Sequence, residues 1–284
     1  MKLVTCVIKG KNVTGAVDVA GNVFDVSKAG DMLALVSSPA ARNAAKALMS
    51  KPGARAVGNI SKLKLRAPII PGKIMAIGVN YAAHAEEMSR TALPTKPVVF
   101  AKMTNSIANP GDTVTWYADA TEKMDWEAEL AVVMGKKAYR VSAANALKYV
   151  GGYTCANDLS AREIQSGDDG KQWVLGKSLD QSCPLGPVIV TSDEIKDPQT
   201  LDISCKVNGE VMQSSNTSTM LIGVAKLIAH LTHYLTLNPG DIIVTGTPNG
   251  VGAGRNPQVF LKNGDVVVVE IEKIGALKVK CAIK

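Results

Sequence analysis

Residues 124–134 read MDWEAELAVVM, and the disposition of the acids at the front of that run decides how the chain is built. Glu127 and Glu129 stand one residue apart at the entrance to an apolar stretch, and Asp125 precedes them at the same spacing. On a β-strand successive side chains alternate faces, so all three carboxylates would point the same way. Carboxylates crowded on one face repel each other unless water or a cation absorbs the charge. A solvated strand face and a cation site both meet that demand, and the local sequence leaves the two open.

Outward from that run, the chain of 284 residues allows one large domain or two unequal ones. Its hydrophobic share of 46% is ordinary for a globular protein, while aromatics at 4% leave packing to Val, Ile, Leu, Ala and Met. Cys6, Cys155, Cys183, Cys205 and Cys281 are scattered and form no CxxC pair, which speaks against a disulfide framework and a structural zinc site. Reduced, buried thiols are the expectation, and with them a cytoplasmic location. The opening MKLVTCVIKG alternates like a strand rather than forming a leader, and no stretch approaches the roughly 20 apolar residues of a membrane span. A soluble protein with no membrane partner is expected.

The net charge of +7 raises the question of nucleic acid. Basic residues are dispersed, and the richest segments, KLKLR (62–66) and KIGALKVKCAIK (273–284), lack interleaved aromatics. No nucleic-acid motif is present, so no such partner is expected. Positive charge that steers small anions toward a cleft is the better use.

Residues 1–70 read as a small α+β unit: a hairpin turning near Gly10, a strand NVFDVS, and a helix SPAARNAAKALMS with Ser38 and Pro39 as N-cap and first-turn residues. APIIPGK (67–73) is the expected linker into a second unit, 71–284, where short β-rich runs bounded by Gly, Pro and Asn-Gly dominate. Asn208-Gly209 marks a hairpin. Helices are few: YAAHAEEM, SAANALKYV, DLSAREIQ and STMLIGVAKLIAHLTHYL. The fold class is mainly β with some helix, α+β rather than doubly wound.

Two suggestive patterns fail on spacing. GKS (176–178) is no phosphate loop, because position 171 is Lys where that motif needs Gly. GTPNGVGAG (246–254) lacks dinucleotide-fold spacing, although its backbone amides could cradle a carboxylate. His230 and His233 share a helix face without the intervening Glu of a zinc protease, so packing or capping is expected of them.

A further acid gives the opening run its weight. Asp158, in GGYTCANDLSARE, follows an apolar strand where a helix would start, and reads either as an N-cap or as a ligand. With Glu127 and Glu129 it would make an all-oxygen donor set suited to Mg²⁺ or Mn²⁺, with positions left for water and substrate.

From about residue 72 onward the chain resembles the fumarylacetoacetate hydrolase family, in its smaller bacterial-type form. The resemblance is carried by IGVNYAAHAEEM, MDWEAELAVVMGK, GYTCANDLSAREIQ, GKSLDQSCPLGP, LNPGDIIVTGTPNGVG and LKNGDVVVVEIEKIGAL. It implies a mixed β-sheet roll or barrel for 71–284, with Glu127, Glu129 and Asp158 as metal ligands and Asp125 at the rim or behind them. It implies Lys177 as stabiliser of negative charge, and His84, oriented by Glu87, as a general base on a mobile lid. Arg162, Gln165, Gly246 and Thr247 match substrate-side positions, while Tyr81 and Phe100 are candidate pocket walls.

The reaction so implied is metal-dependent hydrolysis of a 2,4-dioxo acid of acylpyruvate or fumarylpyruvate type, releasing pyruvate and an acid. The alternatives are isomerisation or decarboxylation of a hydroxymuconate- or oxaloacetate-type diacid in aromatic catabolism, and, more remotely, a non-catalytic binding protein. A homodimer is implied by the family alone.

Overall fold

The computed structural model describes residues 1–89, 92–167 and 171–284. Its centre is the strand Ala128–Met134, every residue of which is buried. Leu130, Val132 and Met134 enter one apolar cluster while Ala131 and Val133 enter another on the opposite face. A strand covered on both faces needs a continuous apolar run instead of a polar alternation, which is what LAVVM supplies. Only the acids at its entrance break that rule.

This strand pairs antiparallel with Val150–Asn157 on one side and Ile242–Val244 on the other. Beyond Ile242–Val244 lie Ile74–Gly78, in parallel, and then Val98–Lys102. Beyond Val150–Asn157 lies Cys183–Thr191. The chain that leaves Val98–Lys102 returns as Ile107–Ala108 to pair in parallel with Cys183–Thr191, so the sheet curls back on itself. A second sheet, ordered Glu210–Asn216, Asp202–Val207, Val266–Ile271, Gly275–Ile283 and Thr113–Trp116, packs over it. Ile203, Cys205, Val267, Val269, Leu277 and Val279 of that sheet share one core with Leu130 and Val132. This is the mainly-β mixed-sheet roll that the sequence implies.

The first residues extend the large sheet. Lys2–Ile8 pairs with Cys183–Thr191 through Lys2↔Val190 and Leu3↔Ile189, and carries Lys11–Val17 and Asn22–Asp25 beyond it. The segment 67–73 runs between Lys64–Arg66 and Ile74–Gly78, where a boundary is expected, yet the sheet is continuous across it. Ser38 caps the helix Pro39–Ser50 by accepting from the Ala41 amide. A preceding helix, Met32–Ser37, was not anticipated; Asp31 caps it and Leu35 and Val36 bury its apolar face. In both hairpins, at Lys9-Gly10 and Asn208-Gly209, the two central residues are left-handed, which matches a two-residue turn to the strand twist.

All five cysteines are free and buried. Burial pushes the Cys183 thiol up to about 12, so it is inert at neutral pH. His230 and His233 pack edge-on against Tyr234, the bland role expected of them. No helix among the described residues is long and apolar enough to cross a membrane.

Candidate active site

Strand register assembles the acids. Ala128 lies opposite Asn157 and Glu129 opposite Ala156, and one step further the Asp158 amide donates to the Glu127 carbonyl at 2.9 Å. Residues opposite one another in an antiparallel pair project to the same face, so Glu127 and Asp158 meet, with Glu129 two residues along. The three residues are 5%, 1% and 0% exposed for Glu127, Glu129 and Asp158, and one oxygen from each lies within 4.8 Å of the others. The solvated-face reading is thereby excluded. Asp158 is not a helix cap: the helix Arg162–Ser166 starts later, and its N-cap is Ala161.

Three cations, the buried Lys102 and Lys177 and the part-buried Arg162, answer these charges. Lys177 Nζ donates to Glu127 Oε2 at 2.7 Å and to Asp158 Oδ2 at 2.9 Å. Lys102 Nζ donates to Asp158 Oδ1 at 2.6 Å. Arg162 pairs with Glu127 Oε1 at 2.8 Å and Asp125 Oδ2 at 2.7 Å, and donates to Gln165 Oε1 at 2.9 Å. Burial works to raise the Glu127 carboxyl, but Lys177, Arg162 and His84 outweigh it and hold it down at about 2. Glu129 goes the other way: burial, then the Asp158 and Glu127 charges, push it well above the usual carboxylate range. Neighbouring carboxylates of opposite tendency form a donor set that a divalent cation fits, because a cation bound to all of them removes the repulsion that raises Glu129.

The glycine-rich loop 246–254 does cradle carboxylates, and they belong to the protein itself. Gly246 N donates to Glu129 Oε2 at 2.7 Å, and Gly250 N to Glu87 Oε2 at 2.8 Å. Gly252 N and Ala253 N donate to Asp125 at 2.7 and 3.0 Å. Gly246 at φ 93 occupies the left-handed region, and a Cβ there would strike Asn80.

The helix Ala82–Glu87 brings His84 to the site. His84 Nδ1 lies 2.7 Å from Glu87 Oε1, a contact that assigns the proton to Nδ1 and leaves Nε2 as the basic nitrogen. The chain enters this helix through Val79 at φ 56, a strained setting for a β-branched residue. Asn80 fixes that bend by bonding Thr245 O, Ile222 O and the Ile222 amide. His84, Glu127, Arg162, Gln165, Lys177 and Thr247 line one cleft of about 70 Å³, whose apolar walls include Ile77, Val79, Phe100 and Trp173.

Comparison with known proteins now bears on the geometry. The fumarylacetoacetate (FAA) hydrolase C-terminal family model matches residues 73–282, every acid and cation of the cleft included. The chain belongs to the fumarylacetoacetate hydrolase family. Among its relatives, the mitochondrial oxaloacetate tautomerase FAHD2A of Bos taurus is 47% identical over 218 residues, covering 76% of this chain and 69% of that protein. The fumarylacetoacetate hydrolase of Exiguobacterium antarcticum superposes with a TM-score of 0.84 at 34% identity, with 100% of both chains covered. Maleylpyruvate hydrolase from Sphingobium sp. SYK-6, solved with manganese(II) and pyruvate, gives 0.83 at 28% identity, covering 100% of this chain and 99% of that one.

Within this fumarylacetoacetate hydrolase fold several expectations need correction. Of the two places expected for Asp125, it takes the one behind the ligands and is fully buried: the chain leaves strand geometry between Asp125 and Ala128, and the carboxylate turns to Arg162 and the loop amides. Gly246 spends its amide on Glu129 and does not line the cleft. Tyr81 is also no wall; it caps the Ala82–Glu87 helix from a buried position, and its hydroxyl has no hydrogen-bond partner among the described residues. Burial and the Glu129 charge push that phenol up. Phe100 does form a wall, with Lys177 Nζ 5.4 Å from its ring centre.

Sequence reasoning missed Lys102 and Gln213. Gln213 accepts from the Ala128 amide at 2.9 Å and donates to Thr247 Oγ1 at 2.8 Å, joining the second sheet to the cleft. Lys102 carried a usable signal: in PVVFAKM it shares strand parity with the buried Phe100, so it must point inward.

Proposed function

We propose that this protein is a divalent-metal-dependent enzyme that interconverts the keto and enol forms of a small 2-oxo diacid of the oxaloacetate type. The observation that carries the reading is the convergence of three carboxylates on Lys177 at a small cleft lined by Glu127, Lys177 and His84, the last held by Glu87. Glu127, Glu129 and Asp158 would hold Mg²⁺ or Mn²⁺. When bound, the cation supplies Lewis acidity that favours the enolate of a 2-oxo acid.

The chain's own residues then have separate tasks. His84 Nε2, left free of the proton by the Glu87 contact at Nδ1, takes the proton from C3 and returns it to the oxygen at C2. The Lys177 ammonium faces the negative charge that develops as C3 is deprotonated. Arg162, pinned by Asp125, holds Glu127 and Gln165 in place. The apolar walls exclude water, which strengthens each of these interactions. The cleft is small, about 70 Å³, which favours a short diacid over a bulky one. The 47% identity to an oxaloacetate tautomerase favours the same reaction.

A second reading has its own support. The His84–Glu87 pair could equally deprotonate a water that attacks C4 of an acylpyruvate, breaking the C3–C4 bond and expelling pyruvate as its enolate. The structural likeness to a maleylpyruvate hydrolase favours it.

One set of assays separates them. Purified protein with Mn²⁺ should accelerate decay of the oxaloacetate enol absorbance without releasing pyruvate. Pyruvate release from acetylpyruvate or fumarylpyruvate, with no effect on enol decay, would replace the tautomerase reading by the hydrolase one. Activity unchanged by chelator would overturn both.

A further inference from the structure

Lys102 has no part in the chemistry above, yet it is the most enclosed cation of the cluster. It ends the strand Val98–Lys102, and its side chain is wholly removed from solvent. Its ammonium meets Asp158 Oδ1, the main-chain carbonyl of Lys177, and, at 3.5 Å, Leu159 O and Ser182 Oγ. A buried ammonium is tolerated only where such acceptors are fixed in place. Asp158 is thus gripped at both oxygens by different lysines, Lys102 on Oδ1 and Lys177 on Oδ2. Ser182 Oγ donates to the same Lys177 carbonyl at 3.1 Å, so the backbone carrying Lys177 is tied to the group that orients Asp158.

We propose that Lys102 is a positioning residue of the cation site. By occupying Oδ1 it turns Asp158 so that a single oxygen, Oδ2, is presented on the Glu127 side. By holding the Lys177 carbonyl it keeps ligand and lysine in register. The inference rests on the metal-dependent reading of the three carboxylates.

Charge alone predicts the opposite behaviour. A buried positive charge beside a ligand opposes cation binding, so its removal should tighten the metal. Loss of orientation should loosen it, and the sign of the change separates the two.

The experiment is a Mn²⁺ titration by calorimetry of the wild-type chain, Lys102→Met and Val269→Ala, the last a core change in the second sheet. The expected result is a Kd raised about 10- to 100-fold in Lys102→Met, as for other partners of metal ligands, and unchanged in Val269→Ala. Equal or tighter binding by Lys102→Met overturns the proposal, as does equal weakening in Val269→Ala at a matched fall in Tm. If Lys102→Met fails to fold, Ser182→Ala decides: a few-fold rise in Kd supports the positioning role and an unchanged Kd overturns it. A wild-type chain that binds no Mn²⁺ overturns the metal reading and this inference together, whereas wild-type binding with an unaffected variant overturns this inference alone.

Discussion

Two clusters of acids lie on this molecule and behave differently. At the entrance of Ala128–Met134, Asp125, Glu127, Glu129 and Asp158 are buried, and each carboxylate has an assigned lysine, arginine or backbone amide. On the second sheet, Asp202, Glu270 and Glu272 rim a groove among serines and threonines and are exposed to water. Their ion pairs are loose, Lys206–Glu270 at 3.7 Å and Lys273–Glu272 at 3.9 Å, between side chains 41–52% exposed. In sequence both are simply acids on strands. What separates them is desolvation, which makes neighbouring charges set each other's protonation in one place and leaves them screened in the other.

The contrast can be broken most severely at Glu127. Glu127→Gln leaves Lys177 and Arg162 facing a neutral amide in a buried site, a loss of about 3–5 kcal/mol of stability by the usual cost of half a buried pair. Denaturant unfolding should show it, together with loss of Mn²⁺ binding and activity at background. His84→Ala sharpens the division of labour: kcat should fall by about 10²- to 10⁴-fold, the usual contribution of a general base, while the Mn²⁺ Kd stays at the wild-type value. An equal change in Kd would show that His84 belongs to the cation site.

The raised Glu129 carboxyl gives a prediction with a definite sign. Its folded pKa lies above its unfolded one, so the metal-free protein draws stability from this proton at low pH and loses it as pH rises through the folded value. A cation must displace the same proton. Mn²⁺ affinity should therefore rise with pH, by up to about tenfold per unit for one proton, and calorimetry in buffers of different ionisation heat should detect its release. The smallest effect belongs to the open groove: Glu270→Gln should change stability by less than about 1 kcal/mol and leave metal binding and turnover untouched.

The legible parts of this protein were those fixed by local rules. The hairpins at Gly10 and Asn208-Gly209, the Ser38 cap and the buried character of LAVVM follow from turn chemistry, capping and runs of apolar residues. The pairing of Glu127 and Glu129 with Asp158 needed the strand register, for which the sequence offers only spacing; the family motifs supplied the rest. Asp125 does not share the ligand face that a strict two-residue period would give it, because the chain bends through Trp126 and Glu127 and leaves it behind the ligands. Gln213 went unseen because its partners lie 34 or more positions away and nothing local marks a glutamine as buried, whereas the shared parity of Lys102 with Phe100 was a local signal whose partner, Asp158, lies 56 positions away.

The loop 246–254 carries a consequence for how such a site can diversify. Its amides already hold Glu129, Glu87 and Asp125, so a change of its path would disturb ligand geometry, the histidine's partner and the Arg162 anchor at one stroke. New substrate preferences therefore have little room to arise there. The side of the cleft formed by Ile77 and Phe100 donates no such amide to the carboxylates among the described residues, and that is where selection can reshape specificity while leaving the chemistry intact.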